Sequence, residues 1–186
     1  MAETTQGQPG SQTYRLGLVE VFTGGGRGKT TAALGIVMRA LGQGLKVHVI
    51  FFMKGYYPYG EQKTLANLPN VSFERFGQLE FVDPAHIKEE ERLQGQQALL
   101  AAQRAVLSGE YDLVILDEVN LAATWGLVDI EGVLRLIREK PAHVELILTG
   151  RSADPRLIEL ADLVTEMVEV KHPFRKGILS RCGIDY

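Results

Sequence analysis

The sequence predicts a doubly wound α/β domain, with a mainly parallel sheet and helices on both faces. Short apolar runs alternate along the chain with longer amphipathic stretches, the pattern of strands joined by crossover helices. A glycine-rich loop separates the first apolar run from the first amphipathic one, and a later apolar run ends in two acids. That layout belongs to sheets that bind ligands at the carboxyl ends of their strands.

Taken in order, residues 1–14 are rich in Gln, Thr, Gly and Pro and read as a flexible tail, leaving residues 15–186 for one domain. Residues 17–23 (GLVEVFT) read as a strand entering the glycine loop. Over residues 29–41, Ala33, Ile36, Val37 and Ala40 fall on one helical face, and Gly42 and Gly44 close the helix. Residues 46–52 (KVHVIFF) are almost continuously apolar, as a strand covered on both faces should be. A loop follows at residues 55–60 (GYYPYG), then a short strand over 71–76. Asp83 and Pro84 supply an N-cap and first turn for a helix running to about Leu107. Residues 112–116 (DLVIL) form a core strand, 130–139 a helix, and 144–149 (VELILT) another strand. Asp154 and Pro155 start a short helix through Leu160, and residues 163–170 make a late strand.

A chain of 186 residues, 45% hydrophobic and 23% charged, can bury one sizeable core. A net charge of -3 offers no general attraction to nucleic acid or acidic membranes, so neither is an expected partner. No apolar run approaches the roughly 20 residues that span a bilayer. The polar start is no signal peptide, and the cytoplasm is the expected location. The single cysteine, Cys182, cannot form an intrachain disulfide and reads as an inert thiol in a reducing compartment.

The segment Thr23-Gly24-Gly25-Gly26-Arg27-Gly28-Lys29-Thr30-Thr31 carries the first piece of chemistry. Glycines let successive backbone N–H groups curl around an anion, and the helix that follows adds unpaired donors with a partial positive charge. Lys29 can reach phosphate oxygens, and Thr30 can offer its hydroxyl to Mg²⁺. The usual P-loop spacing places its first glycine where this chain has Thr23, so the match is shifted by one residue. The second piece is Leu113-Val114-Ile115-Leu116-Asp117-Glu118, four apolar residues running into two carboxylates. At the end of a core strand these acids face the loop across the ligand crevice. One can order the metal shell or the Thr30 hydroxyl, and the other can ligate the metal or activate water. The residues thus specify a Mg–nucleotide site on a P-loop NTPase (RecA-like) fold. They leave open which bond of the nucleotide is broken.

Longer strings carry a resemblance. The stretch from Phe22 through the loop to Gly35 is similar to the start of the P-loop type corrinoid adenosyltransferases, whose own loop pattern has Thr where the usual one has Gly. Further matching strings are Arg39-Ala40-Leu41-Gly42-Gln43-Gly44, Phe51-Phe52-Met53-Lys54-Gly55, Leu116-Asp117-Glu118-Val119-Asn120, Leu148-Thr149-Gly150-Arg151, Ala161-Asp162-Leu163-Val164 and Lys171-His172-Pro173-Phe174. The resemblance implies transfer of the 5′-deoxyadenosyl group of ATP to the Co(I) centre of a reduced corrinoid, with release of triphosphate, in cobalamin biosynthesis or salvage. It implies Mg²⁺ or Mn²⁺, a reductase that supplies Co(I), and a homodimer. By the same resemblance Gly24, Gly25, Gly26, Arg27, Gly28, Lys29, Thr30, Thr31 and Arg39 bind the nucleotide. Lys29, Thr30 and Glu118 act on the leaving triphosphate, and Thr30, Glu118 and Asp117 hold the metal. Phe81 and Lys54 are assigned to the corrinoid.

Several residues keep two readings. Arg39 is a nucleotide contact or a surface ion-pair residue, and Arg151 is near the nucleotide or in a structural turn. His172 reads mainly as part of a packed turn, and Trp125 as a packing residue. Residues 76–83 (FGQLEFVD) lack the tryptophan that family members often carry after the third strand, and Phe81 is either its replacement or a core residue. The alternatives to the transferase are a RecA-like ATPase or kinase, and a module that binds ATP and corrinoid without turnover.

Overall fold

A computed structural model describes residues 16–186, so the tail expected over residues 1–14 lies outside them. Six parallel strands form one sheet: β1 (Val19–Thr23), β2 (Val47–Phe51), β3 (Val71–Arg75), β4 (Leu113–Asp117), β5 (Glu145–Thr149) and β6 (Leu163–Glu166). Their order is β3-β2-β4-β5-β1-β6. Strand β5 therefore separates β1, which feeds the glycine loop, from β4, which carries the acids.

Every residue of β2 and β4 is buried, which explains the near-continuous apolar runs. Side chains still alternate between two faces. Val47, Val49, Phe51, Leu113, Ile115 and Ile147 pack with Ala33, Val37 and Ala40 of helix α1 (Lys29–Gly42). Ile50, Val114, Leu116, Leu146 and Leu148 face the opposite core, formed by α3 (Glu89–Ser108) and α5 (Ile130–Glu139). Alanines at 98, 101, 102 and 105 bring α3 close against the sheet. Two short helices were not expected from the sequence: α2 (Gly60–Leu65) and α4 (Val119–Thr124). Each has six residues, too few for a helical period to show. The last helix, α6 (Pro155–Leu160), starts where Asp154 and Pro155 predict, with the Asp154 carboxylate accepting from the Arg156 N–H.

Two boundaries differ from expectation for identifiable reasons. The Asp83 carboxylate accepts from Ala85 N–H in a local turn, as its sequence invites. The helix begins only at Glu89, where Glu91 reaches back to accept the Lys88 N–H at 2.7 Å. Strand β6 stops at Glu166 rather than 170 because β1 stops at its partner, Thr23. The Met167 N–H still donates to Thr23 O, but the Met167 carbonyl accepts the Gly26 N–H of the loop. No helix among the described residues is long and apolar enough to cross a membrane.

At the amino end of the sheet, Glu20 of β1 lies beside Glu145 of β5. Burial, with the hydrogen-bonded Glu145 carboxyl beside it, pushes Glu20 up to about 7. The folded chain then holds a proton that the unfolded chain releases near its ordinary value of 4.5. Stability from this pair is fully present below that value and is lost as the pH rises through about 7. Glu20→Gln should therefore raise the melting temperature at about pH 8 and change it little at about pH 4. Thermal unfolding across this range checks it, and an equal shift at both ends would remove the pair from the pH dependence.

Candidate active site

The loop after β1 is shaped by contact with the exit of β6. A Cβ added at Gly24, which has φ +96, would lie 2.5 Å from Met167 O, and one at Gly26 would lie 2.7 Å from the same atom. Neither space admits a side chain. Lys29, the first residue of α1, is 7% exposed and folds its ammonium back into the loop. It donates to Gly24 O at 2.8 Å and Gly26 O at 2.7 Å. Burial holds it below the usual lysine range, reinforced by Arg151 and Lys54 and opposed by Glu118 and Asp117. An anion in the loop would offer this cation the charge that two carbonyls do not.

The acids sit across β5 from the loop. Asp117 is 1% exposed, and three donors converge on it. Thr30 Oγ1 and Thr149 Oγ1 donate to Oδ1 at 2.8 and 2.7 Å, and Lys54 Nζ donates to Oδ2 at 2.7 Å. Thr149 also accepts the Glu118 N–H at 3.0 Å, so one buried hydroxyl fixes both acids. Glu118 adopts φ 65, a left-handed conformation that costs a non-glycine residue free energy and persists only where surroundings enforce it. Its carboxylate makes no protein hydrogen bond among the described residues. Burial, followed by repulsion from Asp117, raises it above the usual carboxylate range, against the pull of Lys54, Lys29 and Arg151.

A cleft of about 1280 Å³ opens over these groups, beyond the roughly 300–1,000 Å³ of a usual small-molecule pocket, with Gly24, Asp117 and Thr149 behind its lining. Gly25, Gly26, Arg27, Gly28, Lys29, Thr30, Thr31 and Glu118 all line it, as do Lys54 and Phe81. Arg27 does not point at the phosphate position. It spans the cleft to pair with Asp185 Oδ1 at 3.0 Å and to donate to Ile184 O. The segment around residues 178–186 thereby forms the far wall, a feature that no motif in the sequence announced. Phe81 is 77% exposed on the rim, so it is not a core residue. Its ring lies 5.8 Å from Tyr57, which also packs on Tyr59 and Tyr186, both at 5.0 Å. Gathering these rings required the fold, because residues 57, 81 and 186 are distant in sequence.

The remaining assignments separate. Arg39 is exposed in the last turn of α1, at the end remote from the loop, and does not line the cleft. Lys54, assigned from sequence to the corrinoid, points inward onto Thr30 and Asp117 instead. Arg151 lines the cleft, and His172 does so while also accepting the Phe174 N–H of its turn. Trp125 packs against the α3-side core. The donor set of Thr30, Asp117 and Glu118, all hard oxygens, suits Mg²⁺ or Mn²⁺ once phosphate oxygens complete the shell.

Residues 15–186 match the family model described as ATP:corrinoid adenosyltransferase BtuR/CobO/CobP. The chain is 36% identical over 171 residues to a corrinoid adenosyltransferase of Pseudomonas aeruginosa, covering 91% of this chain and 84% of that one. It is 36% identical over 170 residues to a corrinoid adenosyltransferase of Escherichia coli K12, covering 91% and 86%. With the corrinoid adenosyltransferase CobA of Salmonella typhimurium the identity is 34%, again covering 91% and 86%. Among solved structures, the cytoplasmic domain of EssC aligns with a TM-score of 0.52 and 16% identity, covering 91% of this chain and 34% of that one. That likeness concerns the fold alone.

Thr149→Val keeps the volume but leaves the Glu118 N–H unpaired and removes one donor from Asp117. Urea denaturation should show a loss of about 1–3 kcal/mol. An unchanged midpoint would mean that Thr149 does not fasten the acids.

Proposed function

The chain belongs to the ATP:corrinoid adenosyltransferase family, and on that footing we propose how its own residues carry the transfer of the adenosyl group of ATP to a corrinoid. The observation that carries the proposal is the convergence in one cleft of a phosphate loop, the strand-end Glu118 and an exposed aromatic rim.

Gly24 to Thr31 wrap the triphosphate, with Lys29 leaving its two loop carbonyls for phosphate oxygens. Thr30 and Glu118 would hold a divalent cation, with Asp117 orienting Thr30, and that ion would supply positive charge against the departing triphosphate. The electron pair of Co(I) forms the Co–C bond to C5′ as the C5′–O bond breaks, and that bond's electrons leave on triphosphate. The nucleophile carries no proton, so Glu118 has no general-base task. The chain's main contribution beyond charge is alignment. The aromatic rim of Tyr57, Phe81 and Tyr186 is apolar enough to receive a flat macrocycle and open enough to admit one. We assign Phe81 the part of the family's missing tryptophan. Supply of Co(I) by a reductase, assembly as a homodimer and cytoplasmic location complete the reading. Each rests on the family resemblance and not on the cleft.

The test is anaerobic mixing of the chain with Mg–ATP and chemically reduced cobalamin. A light-sensitive alkylcobalamin spectrum with stoichiometric triphosphate is expected. ADP and phosphate with Co(I) unchanged would favour an ATPase that uses Glu118 as its base. Lys29→Ala should lower kcat/KM for ATP by about 10²–10³-fold, the scale of losing one strong transition-state contact. Near-normal activity would overturn the site. Phe81→Ala should slow reaction with base-on cobalamin more than with a corrinoid lacking the lower base. Equal losses would take Phe81 out of the mechanism.

A further inference from the structure

Lys54 is the one cleft lysine whose ammonium is bound by the acid pair's own network. Its Nζ lies 2.7 Å from Asp117 Oδ2 and 3.2 Å from Thr30 Oγ1, with the side chain only 13% exposed. Thr30 gives its proton to Asp117 Oδ1, so the hydroxyl faces Lys54 with a lone pair. That lone pair is what a metal would use. The ammonium thus sits where the oxygen donors of Thr30 and Asp117 converge, and it supplies the positive charge that their geometry calls for. Burial pushes its pKa downward. The Asp117 and Glu118 carboxylates outweigh that effect and hold it above the usual lysine range.

The position is built, not incidental. Met53 adopts φ 57 just before Lys54, and Gly55 passes so close to Gly77 that a Cβ there would lie 2.0 Å from Gly77 O. The Lys54 N–H donates to Phe76 O at 2.9 Å, and its carbonyl accepts from Gln62 Nε2 at 3.2 Å. The backbone is therefore pinned while the long side chain remains the adjustable part. Beyond the acids, Nζ lies 5.3 Å from the Tyr59 ring.

We infer that Lys54 is a resident counter-ion that holds the metal's place, and that the divalent cation enters by displacing its ammonium from Thr30 and Asp117. This rests on the metal–nucleotide reading above and adds to it a competitor encoded in the chain. Two cations cannot share one lone pair and one carboxylate edge. The resident charge offsets part of the repulsion between Asp117 and Glu118. It also sets a threshold that only a doubly charged ion, backed by phosphate oxygens, overcomes. Displacement also takes the ammonium off the face of Tyr59, which belongs to the aromatic rim.

The test is a titration of the full chain with Mn²⁺ alone, counting free ion by its paramagnetic resonance signal. Lys54→Met should bind Mn²⁺ at least about fivefold more tightly than the wild type, the lower range of ordinary coupling between sites. Arg151→Met removes an equal charge from the same cleft without touching Thr30 or Asp117, and should show no such gain. Unchanged or weaker binding by Lys54→Met, or an equal gain in both variants, overturns the inference. Because Lys54→Met leaves Asp117 without its cation, melting is also followed. Mn²⁺ should raise its melting temperature more than that of the wild type, and equal rises count against displacement. Wild-type chain that takes up Mn²⁺ with ATP, alongside a Lys54→Met variant without gain, removes only this inference. Wild-type chain that takes up no Mn²⁺ even with ATP removes the metal–nucleotide reading and this inference together.

Discussion

The buried carboxylate of Asp117 is the interaction on which the site depends. An anion at 1% exposure would be prohibitively costly without partners, and it has three, drawn from helix α1, strand β5 and the loop after β2. Removing its charged partner, Lys54, would cost about 3–5 kcal/mol, so the arrangement is enforced by the penalty for leaving it. That penalty fixes the register of everything nearby. Thr30 must present its hydroxyl inward, which sets the rotation of α1 below the loop. Thr149 must reach across, and in doing so it accepts the N–H of Glu118 and supports that residue's left-handed backbone.

The sheet order gives this carboxylate its reach. With β5 inserted between β1 and β4, the glycine loop and the acids are held one strand apart, far enough to admit phosphates between them. The two cores on either side of the sheet need no polar help, since the strand faces alternate between them. The polar groups of the site, Asp117 and Thr149 among them, lie at the carboxyl edge. The cleft has two characters as a result. Lys29 and Asp117 in the floor are buried and hydrogen-bonded, whereas Phe81 on the rim is exposed and packs on the Tyr57 ring.

The floor was legible in the sequence, whereas the rim was represented there by Phe81 alone. A strand, a glycine run and a helix opening with Lys29 and Thr30 are contiguous, so their chemistry can be read in one line, as can the apolar run into Asp117 and Glu118. Residues 178–186 and the tyrosines at 57 and 186 have no local pattern; only the fold brings them opposite the loop. Lys54 shows the same limit in finer form. Its place near the carboxyl edge was readable, but whether its ammonium turns out to the rim or in to Asp117 depends on Met53, Gly55 and Gly77, whose contacts are tertiary. Arg39 stands at the opposite limit. It belongs to a matching string, yet lies at the remote end of α1.

The pairing of β1 has a consequence for how the molecule comes into being. Its hydrogen-bonded neighbours are β5 and β6, and all the strands between are made before either partner exists. Contacts so distant in sequence carry a large loop-closure cost and form late. The glycine loop, which leans on Met167 beyond β6, is therefore made before the strand that shapes it. A nascent chain that has not yet made β6 has no wall for that loop. Nucleotide can then act as a fold-completing ligand only after synthesis has passed that strand.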